Sequence, residues 1–196
     1  GRILKMRHDN DAIAICLQDI NIAENSFKHQ RLVDIFYKHG YCFRLRSFTE
    51  TEQRSQTKTD GRGVALIYHR TLEHSNDAHP KQSGIGQADH RDAYGYHIGI
   101  ILKIAKNQLI HVISVYSPSG RVQNDSARAD TNEAVTENLD KIRTRYPGIA
   151  TIIGCDGNSI LDPTLDTLNQ TKIDPKHSFI RCMIEENGMC DTFRAL

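Results

Sequence analysis

Six short runs of strand length, five of them rich in β-branched residues, constrain this chain more than any other feature. Residues 12–17, 63–68, 98–104, 109–116 and 149–154 are predominantly apolar, the pattern of buried strands. The sixth, Tyr41–Arg46, sets Tyr41, Phe43 and Leu45 against Cys42, Arg44 and Arg46, which predicts a strand with one covered face, near a sheet edge. At 196 residues the chain is long enough for one sizeable core. No window approaches the roughly 18 uncharged apolar residues of a membrane helix.

Three segments between the runs have helical period. In 30–38 the apolar set is Leu32, Val33, Ile35 and Phe36. In 127–146, Val135, Leu139, Ile142 and Tyr146 fall on one stripe. The third, 175–187, is expected to take Asp174 as N-cap, Pro175 as its first residue and Asn187-Gly188 as its stop. Several strands follow one another without a helix, so the layering is α+β rather than a strictly alternating parallel sheet. Two polar stretches interrupt the pattern, 49–62 and 69–97, the second holding His69, His74, His79, His90 and His97. Those histidine separations match no helical metal pair and no zinc-finger spacing. The bland reading, a polar surface insertion, is preferred.

The net charge of +1 excludes a basic nucleic-acid arm but not an enzyme that grips phosphate locally. Cys16, Cys42, Cys155, Cys182 and Cys190 are odd in number and lack C-x-x-C spacing, arguing against a disulfide framework or zinc cage and for a reducing, intracellular compartment. Cys16, Cys155 and Cys182 lie in apolar runs, where cysteine acts as a small hydrophobe.

Three of the strands end in polar groups. Run 149–154 leads through Cys155 into Asp156-Gly157-Asn158, an acid and an amide two positions apart. Such a pair suits phosphate chemistry, where a carboxylate holds a hard cation or orients a water and an amide donates to a phosphoryl oxygen. Gly, Asp and Asn are equally the residues of turns, the better reading of this segment taken alone. Run 12–17 ends at Gln18-Asp19, and 109–116 delivers Tyr116 into a loop containing Pro118. For an isolated tyrosine the safer reading is a core residue with its hydroxyl at the rim.

Taken together, these segments resemble the endonuclease/exonuclease/phosphatase (deoxyribonuclease-I-like) superfamily. The matches, in order, are AIAICLQD to the family's strand ending L-Q-E, GRGVALIYH to its G-V-A strand, ISVYSPSG to N-x-Y-x-P, IIGCDGN to G-x-D-x-N, and MCDTFRAL to D-x-[WF]-R. The later spacing, with Asp162 and Asp166 in a loop and then Asp191 and Arg194, looks most like LINE-type retrotransposon endonucleases, with abasic-site enzymes ending similarly. The resemblance implies a four-layer α/β/β/α sandwich of two mixed sheets with outer helices, forming one partial domain over 1–196. It also implies Mg²⁺-dependent hydrolysis of phosphodiesters, with Mn²⁺ as a substitute ion, DNA as partner, a linked reverse transcriptase in the longer protein and nuclear residence.

Carried over by position, Asp19 takes the place of the metal-binding Glu, and Tyr116 that of the phosphate-contacting Tyr. Asp156 stands where the family orients the attacking water, and Asn158 where an amide supports the phosphate. Arg62, Arg70, Lys81 and Arg91 are candidate backbone contacts, or equally solubilising charges. Three departures stand out: Asp19 is one methylene shorter than Glu, Ser114 stands where Asn is frequent, and Gly157 replaces a bulky apolar residue, adding backbone freedom. The resemblance places the family's first strand before Gly1 and its closing S-D-H segment after Leu196. The chain is therefore expected to be cut at both ends and weakly active or inactive. A phosphatase of the same fold and a non-catalytic relic are the alternative readings.

Overall fold

The computed structural model describes residues 12–47, 63–72, 96–118, 125–159 and 177–192. Two three-stranded sheets pack face to face. The first contains β1 (Ala14–Ile20), β2 (Tyr41–Arg46) and β3 (Gly63–His69), all antiparallel in the order β1-β3-β2. Position 41–46 is an edge strand of this sheet, as its alternation predicts, with Phe43 and Leu45 buried. The second sheet is mixed: β4 (His97–Ala105) is antiparallel to β5 (Gln108–Tyr116), and β6 (Ala150–Asp156) runs parallel to β5.

Helices cover the outer faces, completing the α/β/β/α layering. Helix α1 (Phe27–Lys38) packs over β2, with Phe36 and Phe43 stacked at 5.4 Å in a cluster that includes Leu45, Ala65 and Ile67. Helix α2 (Asp125–Arg145) lays Val135, Leu139 and Ile142 onto the second sheet. Helix α3 (Phe179–Glu185) adds Phe179, Cys182 and Met183 against Ile113 and Val115. Between the sheets, Leu66 and Tyr68 meet Leu102, Ile110 and Val112. Strand alternation makes this possible: even-numbered residues of β5 face the other sheet, and odd-numbered ones face the helices. No helix among the described residues is long and apolar enough to cross a membrane.

Two expectations are corrected. Helix α3 starts at Phe179, and its N-cap is Ser178, whose hydroxyl accepts from Arg181 N–H; the N-cap is not Asp174. His177, at φ +58°, lies in the left-handed region and cannot continue a helical turn from upstream. Asp174 and Pro175 lie outside the described residues. The stop is as expected: Gly188, at φ +65°, turns the chain so that Met189 N–H reaches the Met183 carbonyl at 3.0 Å. Cys155, at the end of β6, is exposed and no core hydrophobe.

Of the five histidines in 69–97, His69 ends β3 and His97 is buried at the start of β4; the others lie outside the described residues. His111, on β5, is fully buried beneath α2. Its Nδ1 is 3.4 Å from Thr151 Oγ1, and among the described residues Nε2 has no hydrogen-bond partner. The ring lies over Gly99, where a Cβ would come within 3.0 Å of Nε2. Burial, and then neighbouring His97, pull its pKa down to about 4, so the ring is neutral. The unfolded chain takes up this proton below about pH 6.5 and the folded one only below about 4. Stability is therefore lost as pH falls through that window, by at most about 3 kcal/mol. Urea unfolding at pH 6.5 and 4.5 should show the parent chain losing about 2 kcal/mol more than His111→Asn, whose side chain cannot protonate.

Candidate active site

The carboxyl ends of β1, β5 and β6 meet at one end of the sandwich, and the contact between them is polar. Gln18 Nε2 crosses from the first sheet to the second, donating to Ser114 Oγ at 3.1 Å and to the Gly154 carbonyl at 3.0 Å. Ser114 Oγ in turn donates to the Leu17 carbonyl at 3.1 Å. Both protons of the Gln18 amide are thus used, and three strands are tied by one side chain. Ser114 is the middle of this bridge.

Close approach of the sheets beside the bridge depends on Gly154. A Cβ there would lie 2.6 Å from both Cβ and Sγ of Cys16 on β1. The Cys16 thiol is pushed up to about 11 by burial, against a smaller opposing effect of a hydrogen bond from the Gly154 backbone, so it stays protonated and acts as packing.

Asp19 reaches this end through a β-bulge. Leu17 pairs with Ala65 and Ile20 with Gly63, so two residues of β1 oppose the single Val64. Asp19 has φ +58°, a conformation that Asp tolerates better than most side chains. Without the bulge, alternation would carry Asp19 into the row of Ile15 and Leu17 beneath α1. With it, Ile20 and Ile22 take over that row, and Asp19 stays exposed beside Gln18. The bulge also explains why β1 extends beyond the run 12–17.

Tyr116 and Asp156 are register partners at the ends of β5 and β6, on the face that carries Ser114 and Gly154. Tyr116 is half-buried, its ring 6.3 Å from that of buried Tyr96. The β6 exit is both a turn and a junction. Asp156 Oδ1 accepts from Asn158 N–H at 3.2 Å, closing the Asx turn that the residue types suggest. Asn158 Nδ2 donates to the Ser117 carbonyl at 2.7 Å, and Ser117 N–H to the Asp156 carbonyl at 2.8 Å, lacing the two strand ends together.

Gly157 does not add freedom here. Its missing side chain is replaced by Ile180 of α3, whose Cγ1 would stand 2.6 Å from a Cβ at this position. The next residue, Ser159, donates to the Gly157 carbonyl at 2.8 Å and accepts from Ser178 Oγ at 3.0 Å, tying the turn to the start of α3. Asp191 is also close by. Although Cys155 is exposed at the surface, the protein around it desolvates the thiol, and the Asp156 and Asp191 carboxylates add to that effect, pushing it up to about 11.

Asp19, Tyr116, Asp156 and Asn158 therefore share one end of the sandwich. Arg70 does not. It follows β3 at the opposite end, six to seven residues or about 20 Å of strand from the bulge, with its guanidinium 5.4 Å above the Tyr37 ring. Arg62, Lys81 and Arg91 lie outside the described residues, as do Asp162, Asp166 and Arg194. Gln18 and Ser114 were visible in sequence only as polar residues in apolar strands; their pairing is tertiary.

No family model and no curated protein sequence matches the chain. Among solved structures, the human Nocturnin catalytic domain with bound sulfate superposes with a TM-score of 0.56 at 12% identity, over 98% of this chain and 63% of that one. The chain has the fold of that domain, the deoxyribonuclease-I-like fold. ANGEL2, a 2′,3′-cyclic phosphatase, shares this fold with a TM-score of 0.50 at 16% identity, over 98% of this chain and 52% of its own. The endonuclease domain of TRAS1, a telomere-specific non-LTR retrotransposon, gives 0.45 at 10% identity, over 93% of this chain and 62% of that one. The chain thus spans less than two thirds of each.

Among the described residues, no three His, Cys, Asp or Glu side chains cluster, so they build no all-protein metal cage. The carboxylates at this end, Asp19 and Asp156, are hard oxygen donors of the kind a small hard cation takes. Mg²⁺ characteristically takes one or two carboxylates and completes its shell with water and substrate phosphate.

Replacing Gln18 by Met keeps its bulk but leaves Ser114 Oγ and the Gly154 carbonyl without their donor. The expected cost is about 1–3 kcal/mol in urea unfolding. Gly154→Ala should cost a similar amount through its clash with Cys16, and Cys16→Gly in the same chain should recover part of it. Simple additivity of those two changes would refute the contact.

Proposed function

We propose that this chain is a Mg²⁺-dependent phosphodiester hydrolase acting on DNA, of the retroelement endonuclease type. The observation that carries this reading is the meeting of Asp19, Tyr116, Asp156 and Asn158 at the carboxyl ends of three strands from two different sheets. The likeness in fold to the Nocturnin catalytic domain and to ANGEL2, a 2′,3′-cyclic phosphatase, supports it at the level of phosphoester chemistry.

Each side chain has a role that its geometry permits. Asp156 has Oδ1 committed to the Asn158 N–H, which fixes the carboxylate and leaves Oδ2 to orient a water for in-line attack. Asn158 uses one amide proton on the Ser117 carbonyl, and the other is available to a phosphoryl oxygen. Tyr116, beside Asp156 in the ladder, donates its hydroxyl to the same phosphate. Asp19, kept exposed by the bulge, would hold the divalent ion. That ion, when bound, neutralises charge on the phosphoryl oxygens.

A phosphatase is the second reading, favoured by the likeness to ANGEL2 at a TM-score of 0.50. Supercoiled plasmid, a nucleoside 2′,3′-cyclic phosphate and a soluble phosphate monoester, each offered with Mg²⁺, separate the two. Plasmid nicking that EDTA abolishes and that Asp156→Ala lowers by about 10²-fold or more, with unchanged unfolding, is the expected result. Nicking indifferent to Asp156 would refute the assignment, and turnover of the small esters alone would establish the phosphatase.

A further inference from the structure

We propose that the outward face of α1 is a contact surface for single-stranded nucleic acid, with Phe27 stacking on a base and Lys28, Arg31 and Lys38 on phosphates. This inference rests on the reading of the chain as a nucleic-acid hydrolase and extends it to a surface outside the catalytic end.

Phe27, the first residue of α1, is 81% exposed, and Ile35, two turns further on, is 41% exposed. At 3.6 residues per turn, Phe27, Lys38, Arg31, Ile35 and Lys28 fall within an arc of about 100°. Leu32, Val33 and Phe36 occupy the opposite side, packed on the first sheet. The outward arc carries three cations and no carboxylate; Asp34 lies just outside it and accepts from Gln30 at 3.2 Å.

The helix is anchored so that Phe27 lies at the catalytic end. Glu24 accepts from Ser47 N–H at 2.9 Å and pairs with Arg46 at 3.6 Å. Arg46 pairs with Val64, next to the Gly63–Ile20 pair that closes the bulge. Phe27 follows Glu24 by three residues. Strand β2, on which α1 packs, is two strand spacings from β1, about 10 Å. A strand leaving the Asp156 end across this edge of the sandwich would pass Phe27 within a few nucleotides.

Charge and shape choose the occupant. A second copy would bring three cations against three, and an apolar partner would strip water from all of them without replacing it. A polyanion with aromatic faces satisfies both parts of the arc. The ligand is single-stranded because an exposed aromatic can stack only on a base whose face is uncovered.

The test is fluorescence anisotropy with the whole chain in EDTA, using a labelled oligothymidylate of about 15 nucleotides and salt from about 50 to about 200 mM. Phe27→Ala should weaken binding about 5- to 100-fold without changing the salt slope. Lys28→Gln, Arg31→Gln and Lys38→Gln combined should lower that slope by about 2. These side chains are exposed, and unfolding midpoints check that the variants fold. The proposal is overturned if neither variant moves the affinity, if duplex binds more tightly than single strand and ignores Phe27→Ala, or if only phosphatidylserine vesicles respond to the substitutions. The assay reads binding without hydrolysis, so its failure is distinct from failure of the plasmid assay: loss of Phe27-dependent binding with nicking intact removes only this surface.

Discussion

The Gln18 amide holds two sheets together at the place where the chemistry is proposed to occur. Face-to-face sheets cohere mainly through apolar burial, which has no preferred direction and tolerates small sliding motions. Hydrogen bonds to Ser114 Oγ and the Gly154 carbonyl do have direction. They fix the end of β1 relative to the ends of β5 and β6, and so set where Asp19 stands relative to Tyr116 and Asp156. The close contact of Cys16 with Gly154 sets the spacing beside it.

Around that bridge, the strand ends are organised by backbone irregularities. A bulge with Asp19 at φ +58° keeps an acid out of the α1 interface, and an Asx turn with Asn158 at φ +44° folds the amide back toward β5. Such conformations cost energy for residues other than glycine and persist where surrounding contacts determine them. Here those contacts are the Asn158–Ser117 hydrogen bond and the Ile180 side chain seated over Gly157. The site is thereby built from elements far apart in sequence, with α3 supporting the β6 exit from behind.

The remaining polar interior has a different character. His111, neutral and short of one hydrogen-bond partner among the described residues, sits beneath α2 on the face of β5 away from the site. It links stability to pH without touching the strand ends. The outward face of α1 is a third region, where exposed aromatic and basic groups are arranged by helical period, with the Glu24 anchor holding the Phe27 end of the helix beside the end of β2.

Much of the fold was legible in the sequence because strand and helix signals are local. Runs of β-branched residues, the 41–46 alternation and the Val135–Leu139–Ile142 stripe state their own periods, and the structure keeps each as a strand or helix, except that the run 149–154, expected to be buried, is an edge strand with Ile152 55% exposed, because edge position depends on which strands pair rather than on local composition. The start of α3 was not legible, since Asp174-Pro175 looks like a cap while the left-handed His177 is not marked by residue type. The acid, amide and phenol at strand ends could be named from sequence, as could the turn at Asp156–Asn158. What only the tertiary structure decided is their convergence: the Gln18–Ser114 pairing across 96 residues, the bulge that re-aims Asp19, the filling of Gly157 by Ile180, and the placing of Arg70 at the far end. Local sequence determines which residues a strand carries and to which side each points, whereas the distance between strands depends on which sheets pack and how closely, a property of the whole chain.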